Sequence, residues 1–284
     1  MVDGIDMYVR RSNPATDDVQ LVFVHGLGGM STNWTDLTHL QSARGRASLA
    51  MDLPGFGRTG ADPHGDYSLD RHARAVIAML ETLASPVNLV GNSLGGAVVT
   101  TVAAQRPDLV TTLTLLAPAL PHVSPSKEKL PIVLGILPRA AHLLSRTIGN
   151  QTAEERVDGT LNLTFGDVGR IPPQRREEAI NEAHIRAGMP HVWDAFVASS
   201  RGLGMGFIPW RREYLWRKLD DVQAPVLAIF GTKDRLVDPK ISARVARTIN
   251  GGTVVVLPGV GHVPQMELPI TVDRLLDAHI LGQL

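Results

Sequence analysis

The stretch from Val87 to Gly96, V-N-L-V-G-N-S-L-G-G, constrains the fold of this chain more than any other. An apolar run fit for a buried strand ends at Gly91, Ser93 follows two residues on, and the small apolar stretch from Leu94 to Ala104 reads as a helix. The chain must therefore reverse from strand to helix within a very tight turn. Gly91-Asn92-Ser93-Leu94-Gly95 is a G-x-S-x-G pattern, and its glycines have a steric task. A side chain at either position would meet the neighbouring backbone, and the serine takes a strained conformation to stand clear of the sheet. Its hydroxyl then lies at the mouth of the next helix, where free N–H groups and the helix dipole favour developing negative charge. Such a turn suits a nucleophile, although an ordinary strand-turn-helix can carry the same letters.

The rest of the chain alternates in the same way. Met7 to Arg11 reads as a short strand. Leu21 to His25 reads as a central strand that stops at Gly26-Leu27-Gly28-Gly29. Ser31 or Thr32 can cap a helix running to about Leu40, and Ala47 to Leu53 is a strand entering the stiff loop Pro54-Gly55-Phe56-Gly57. Ser68 caps an amphipathic helix whose Leu69, His72, Val76, Leu80 and Leu83 share a face. After the helix Leu94 to Gln105, Val110 to Leu116 is the next strand. Strands separated by helices predict an α/β fold with a mostly parallel central sheet and helices on both faces, because parallel neighbours need crossovers. Ligands then bind beyond the carboxyl ends of the strands.

From residue 121 to 216 the rhythm breaks, and the signals are helical: Leu130 to Leu144, Glu154 to Leu163, Gln174 to Ala187 and His191 to Ser200. This predicts a helical cap inserted between a first core part, residues 1–120, and a second, residues 217–284. The alternation resumes with a strand from Ala224 to Phe230, a helix from Pro239 to Ile249, a strand from Thr253 to Leu257 and a last helix from Leu268 to Ile280.

Composition narrows the partners. Lys plus Arg and Asp plus Glu each number 28, and the basic pairs Arg10-Arg11, Arg175-Arg176 and Arg211-Arg212 are scattered, which argues against nucleic acid. The start has no apolar core behind a basic end, and no apolar run reaches membrane-spanning length, so the expectation is a cytoplasmic chain. Cysteine is absent, which removes disulfides and thiolate metal sites, and the histidines show no metal-binding spacing. No cofactor or metal is expected. A homodimer stays open.

A serine needs a base to take its proton, and that base needs a carboxylate to hold its tautomer. Two of the resumed strands run into Gly231-Thr232-Lys233-Asp234 and Gly259-Val260-Gly261-His262. Ser93, Asp234 and His262 thus all fall in loops at one predicted sheet edge. Asp238 competes for the acid role, but it precedes Pro239 and reads better as a helix cap. Asp52 and His25 read better as braces of their loops.

With these landmarks in order, the chain resembles the capped α/β-hydrolases, in their serine carboxylesterase-like branch. The resemblance is carried by His25-Gly26-Leu27-Gly28-Gly29, Asp52-Leu53-Pro54-Gly55-Phe56-Gly57, Gly91 to Gly96, Gly231 to Asp234 and Gly259 to His262. It implies Ser93 as nucleophile, Asp234 as orienting acid and His262 as base. It also implies an oxyanion hole from the backbone N–H groups of Leu94 and Leu27, with Gly28 as the alternative second donor. The implied activity is hydrolysis of carboxylic esters of small to medium apolar substrates. A serine nucleophile, rather than aspartate, separates the chain from haloalkane dehalogenases and epoxide hydrolases. Carbon-carbon bond hydrolases of the meta-cleavage type carry a Trp soon after the histidine, where this chain has Val263-Pro264-Gln265. They stay as an alternative, as does a triad-bearing small-molecule receptor.

Overall fold

The structure is a computed structural model that describes residues 4–13, 16, 18–122, 151–249 and 251–284. The helix expected from Leu130 to Leu144, with the apolar side chains that it would carry, lies outside the described residues.

A seven-stranded sheet organises the molecule. Its strands are β1 (Val9–Ser12), β2 (Val19–Val24), β3 (Ala47–Met51), β4 (Val87–Asn92), β5 (Val110–Leu116), β6 (Val226–Gly231) and β7 (Thr253–Leu257). Their spatial order is β1-β3-β2-β4-β5-β6-β7, and only β1 against β3 is antiparallel. The chain starts at the β1 edge, steps in to β2, turns back to β3 between them, then crosses to β4 and works outward through β5 and β6 to β7. The direction of winding reverses between β2 and β4, so the crevice for a ligand opens beyond their carboxyl ends.

Both faces of the sheet are buried, and the period-two geometry of a strand sorts side chains between two cores. In β2, Val22 and Val24 join one core while Leu21 and Phe23 join the other; in β6, Val226, Ala228 and Phe230 alternate with Leu227 and Ile229 in the same way. The first core packs against α2 (Leu69–Leu80) and α3 (Leu94–Gln105), through Val76, Leu80, Val98 and Val102. The second packs against α1 (Thr35–Ala43) and the C-terminal α10 (Pro269–Ile280), through Leu37, Val272 and Leu276. Continuous apolar runs in the strands are what a sheet covered on both faces requires.

Between β5 and β6 come α4 (Ala153–Thr164), α5 (Pro173–Ala187), α6 (Val192–Met205) and α7 (Leu215–Asp220); α8 (Ser242–Thr248) precedes β7, and α9 (Pro264–Glu267) follows it. A capping box starts α4: Thr152 Oγ1 accepts from the Glu155 N–H, and the Glu155 carboxylate accepts from the Thr152 N–H. Several contacts bring this helical segment onto α1, α2 and the loop after β3. Arg175 pairs with Asp36 at 2.6 Å, and Ser199 Oγ lies 2.9 Å from His72 Nε2. A Cβ on Gly55 would meet Ala195 Cβ at 2.5 Å.

Some boundaries differ from the sequence reading for identifiable reasons. Ser31 does not cap α1, because a 3₁₀ turn over Ser31–Trp34 precedes the helix and places Ser31 at that turn's start, where its N–H donates to Asp52 Oδ1 at 2.5 Å. The last helix forms as expected over α10, and the short α9 precedes it as a separate turn because Pro269 lacks the N–H that would join the two.

Candidate active site

Ser93 joins β4 to α3 with φ 55° and ψ −116°, a left-handed conformation that a residue with a Cβ rarely adopts. The surroundings hold it there. Its N–H donates to Leu116 O at 3.0 Å, and its carbonyl accepts from the N–H groups of Ala97 and Ala119 at 3.2 and 3.0 Å. The flanking glycines are required by contact: a Cβ on Gly95 would lie 2.2 Å from Val24 O, and one on Gly91 would lie 2.5 Å from Gly95 O. The strained serine is therefore fixed by close backbone packing around it.

Asp234 and His262, far apart in sequence, are brought into contact by the pairing of β6 with β7. His262 Nδ1 is 2.8 Å from Asp234 Oδ2, and both side chains are almost fully buried, at 5% and 1% exposure. Asp234 Oδ1 accepts from the N–H groups of Leu236 and Val237, at 2.8 and 2.9 Å. The carboxylate thus faces donors on both oxygens, which places the imidazole proton on Nδ1 and leaves Nε2 as an acceptor. Asn92, immediately before Ser93, donates through Nδ2 to His262 O at 3.1 Å and to Leu116 O at 2.9 Å. The serine turn and the histidine loop are therefore joined directly.

The loop after β2 lies beside Ser93, since a Cβ on Gly26 would be 3.1 Å from Ser93 Cβ. Gly26 O accepts twice, from His25 Nδ1 at 2.7 Å and from the Gly29 N–H at 3.0 Å. A trans peptide directs its N–H opposite its carbonyl, so these bonds also set the direction of the Leu27 N–H, which has no acceptor among the described residues. The Leu94 N–H opens α3, where a helix leaves its first N–H groups unpaired. Gly28 O accepts from Arg186 of α5 at 2.6 Å. Burial lowers the pKa of Arg186, with Glu182 opposing that effect.

His25 is fully buried, and its Nε2 accepts from the Leu53 N–H at 3.0 Å. It bridges two loops as a neutral imidazole with the proton on Nδ1, and burial pushes its pKa below the ordinary value. Asp52 braces the same region from the other side, taking the N–H groups of Ser31 and Arg58 at 2.5 and 2.8 Å. Asp238 accepts from the Lys240 N–H at 3.0 Å as the cap of the Pro239–Ile241 turn. The carboxylate in contact with His262 is Asp234. Asn92 and Glu267 escape a reading by motif because their partners are mostly main chain and lie largely in distant segments. Among the described residues no group of three or more acidic, His or Cys side chains is arranged to hold a metal ion, and no helix is long and apolar enough to cross a membrane.

The sheet order, the serine turn and the acid-histidine contact all fit one fold, and a profile of the alpha/beta hydrolase family matches residues 21–273. This chain belongs to that family. Among relatives of this alpha/beta hydrolase, the dihydrolipoyllysine-residue acetyltransferase component of the acetoin cleaving system of Cupriavidus necator is 26% identical over 284 residues, covering 99% of this chain and 68% of the relative. The pimeloyl-[acyl-carrier protein] methyl ester esterase of Neisseria meningitidis is 29% identical, covering 90% of each chain. The crystal structure of a lipase described as putative, from Acinetobacter baumannii AYE, superposes with a TM-score of 0.79 at 20% identity, over all of this chain and 90% of that one. The last likeness shows the fold alone. Family membership, with an esterase among the relatives, supports a hydrolase.

Proposed function

We propose that this alpha/beta hydrolase cleaves carboxylic esters of small to medium apolar substrates through an acyl-enzyme on Ser93. The observation that carries the reading is the bond from His262 Nδ1 to Asp234 Oδ2, because it orients an imidazole whose other nitrogen is left to accept a proton. In the proposed first step His262 Nε2 takes the Ser93 proton as Oγ attacks the ester carbonyl carbon. The carbonyl oxygen becomes an oxyanion held by the N–H groups of Leu27 and Leu94. His262 then protonates the departing alcohol as the carbon-oxygen bond breaks, leaving the acyl group on Oγ. In the second half a water gives its proton to His262 and attacks the acyl carbon, and the proton returns to Ser93 Oγ as the acid leaves.

The helices α4 to α6 are read as a cap over this site. Support for an apolar substrate comes from α6, where Trp193 and Phe196 stack with ring centroids 5.7 Å apart. The Phe196 ring edge stands 3.5 Å from where a Cβ on Gly28 would be, so an apolar wall borders the loop that carries Leu27.

The test is hydrolysis of p-nitrophenyl esters from acetyl to palmitoyl by wild type and by Ser93→Ala. Repeated turnover that disappears in Ser93→Ala is the expected result, and the preferred chain length measures the acyl pocket. A folded wild type that turns over none of the series overturns the ester reading. Carbon-carbon bond substrates and a ligand-binding screen then come next.

A further inference from the structure

A buried carboxylate outside the acid-histidine pair, Glu267, lies at the end of α9. Its side chain has 0% exposure. Oε2 accepts from the Gly261 N–H at 2.8 Å and from the Gly166 N–H at 2.9 Å, while Oε1 takes Arg170 Nη1 at 2.7 Å. Gly261 immediately precedes His262, whereas Gly166 and Arg170 lie just beyond α4. One carboxylate thus holds the histidine loop and the helical segment together.

The backbones around it run in direct contact. The His262 N–H donates to Thr164 O at 2.6 Å. A Cβ on Gly261 would lie 2.3 Å from Thr164 O, and one on Gly166 would lie 2.6 Å from Gly259 O, so the crossing forms only with glycine on both sides. Buried N–H groups need acceptors, and Glu267 supplies the one that both glycines share. Withdrawing residues 164–170 would strip His262 of its main-chain acceptor and leave Glu267 with only the Gly261 N–H.

We propose that Glu267 is a positioning residue that joins His262 to the cap, so that docking of residues 164–170 and correct placement of the base are one event. The proposal rests on the reading of His262 as base and of α4 to α6 as cap. Glu267 touches no reacting atom in this scheme; it acts through the Gly261 and His262 main chain. A glutamine is diagnostic here, because three donors converge on the carboxylate and an amide offers one acceptor oxygen and a further donor.

The experiment compares wild type, Glu267→Gln, Glu267→Ala and Arg170→Met in kcat and KM on the best short p-nitrophenyl ester. Circular dichroism at the assay temperature reports folding. Proton NMR reports the far-downfield resonance of the His262 Nδ1–H bonded to Asp234. A displaced base predicts kcat lower by about tenfold in Glu267→Gln and about a hundredfold in Glu267→Ala, with KM changed by less than about twofold. Arg170→Met shows a smaller loss, and the downfield resonance weakens in the same order. A folded Glu267→Ala that keeps wild-type kcat and an intact resonance overturns the proposal and leaves Glu267 a stability role alone. If Glu267→Ala does not fold, Glu267→Gln and Arg170→Met decide by the same criteria. If the wild type has no ester activity, the resonance still decides: its loss in the folded variants upholds the positioning role while the ester reading falls.

Discussion

The side-chain amide of Asn92 and the main-chain carbonyl of His262 meet at 3.1 Å, although 170 residues separate them in the chain. The same Nδ2 also reaches Leu116 O at 2.9 Å, so one amide group ties together β4, the end of β5 and the histidine loop. Replacing Asn92 by alanine strands the His262 carbonyl, a loss of about 1–3 kcal/mol for a group left unsatisfied, while Leu116 O keeps the Ser93 N–H at 3.0 Å. The expected outcome in Asn92→Ala is a lower denaturation midpoint in urea, with kcat reduced more than KM as the histidine loop loosens. Unchanged stability and kcat together would show that the bond is incidental.

The two nearby aspartates separate catalysis from capping. Asp234→Asn should lower kcat by roughly 10³–10⁴, because an amide no longer enforces the imidazole tautomer. Asp238→Asn should leave kcat near wild type and change stability by no more than about 1 kcal/mol, as asparagine caps about as well as aspartate. Steady-state kinetics on both variants check this, and equal damage from both would defeat the assignment of the acid.

A methyl group has opposite consequences at two glycines. In Gly95→Ala it would lie 2.2 Å from Val24 O, against rigid strand backbone, so little soluble folded protein is expected. Gly60 is not among the glycines with positive φ, and a Cβ there meets nothing within 4 Å. Gly60→Ala should therefore hold or raise stability, by up to about 1 kcal/mol, through the unfolded chain's lost freedom. Soluble yield and thermal unfolding of the two variants measure the contrast.

Acid should weaken the fold through His72. Burial depresses its pKa from 6.5 to about 3, with the neighbouring His25 and Arg71 acting in the same direction and Asp66 and Asp62 opposing. The unfolded chain then binds a proton that the folded chain refuses. The contribution is complete above the unfolded value of 6.5 and is lost progressively as pH falls towards about 3. The slope reaches at most about 1.4 kcal/mol per pH unit. His72→Gln keeps a polar partner for Ser199 without the titration, so its urea stability should vary less than wild type between about pH 7 and about pH 5.

Much of this was legible in the chain because it depends on local chemistry. The alternating strands and helices, the glycines around Ser93 and the capping role of Asp238 follow from what lies within a few residues of each. The start of α1 was not legible, since a 3₁₀ turn over Ser31–Trp34 precedes the helix and Asp52 reaches across to the Ser31 N–H at that turn's start. His72 was read as one face of α2, and its burial against Ser199 depends on helices inserted more than a hundred residues later. Asn92 and Glu267 were invisible for a related reason. Most of their partners are peptide groups, which are the same at every position in a sequence, and the Arg170 side chain that meets Glu267 lies 97 residues earlier.

Strands β5 and β6 pair directly, Leu113 against Val226 through Leu116 against Ile229, so the chain leaves the sheet and returns to the adjacent lane. The sheet therefore does not register how much chain is spent in between, and loop-closure entropy grows only logarithmically with that length. The intervening helices can be lengthened, shortened or exchanged while Ser93, Asp234 and His262 keep their anchors in the strands. On the proposed reading, variation in what is admitted and constancy in how it reacts fall to separate stretches of chain, with the Glu267 contact as the point where a replacement segment must still match.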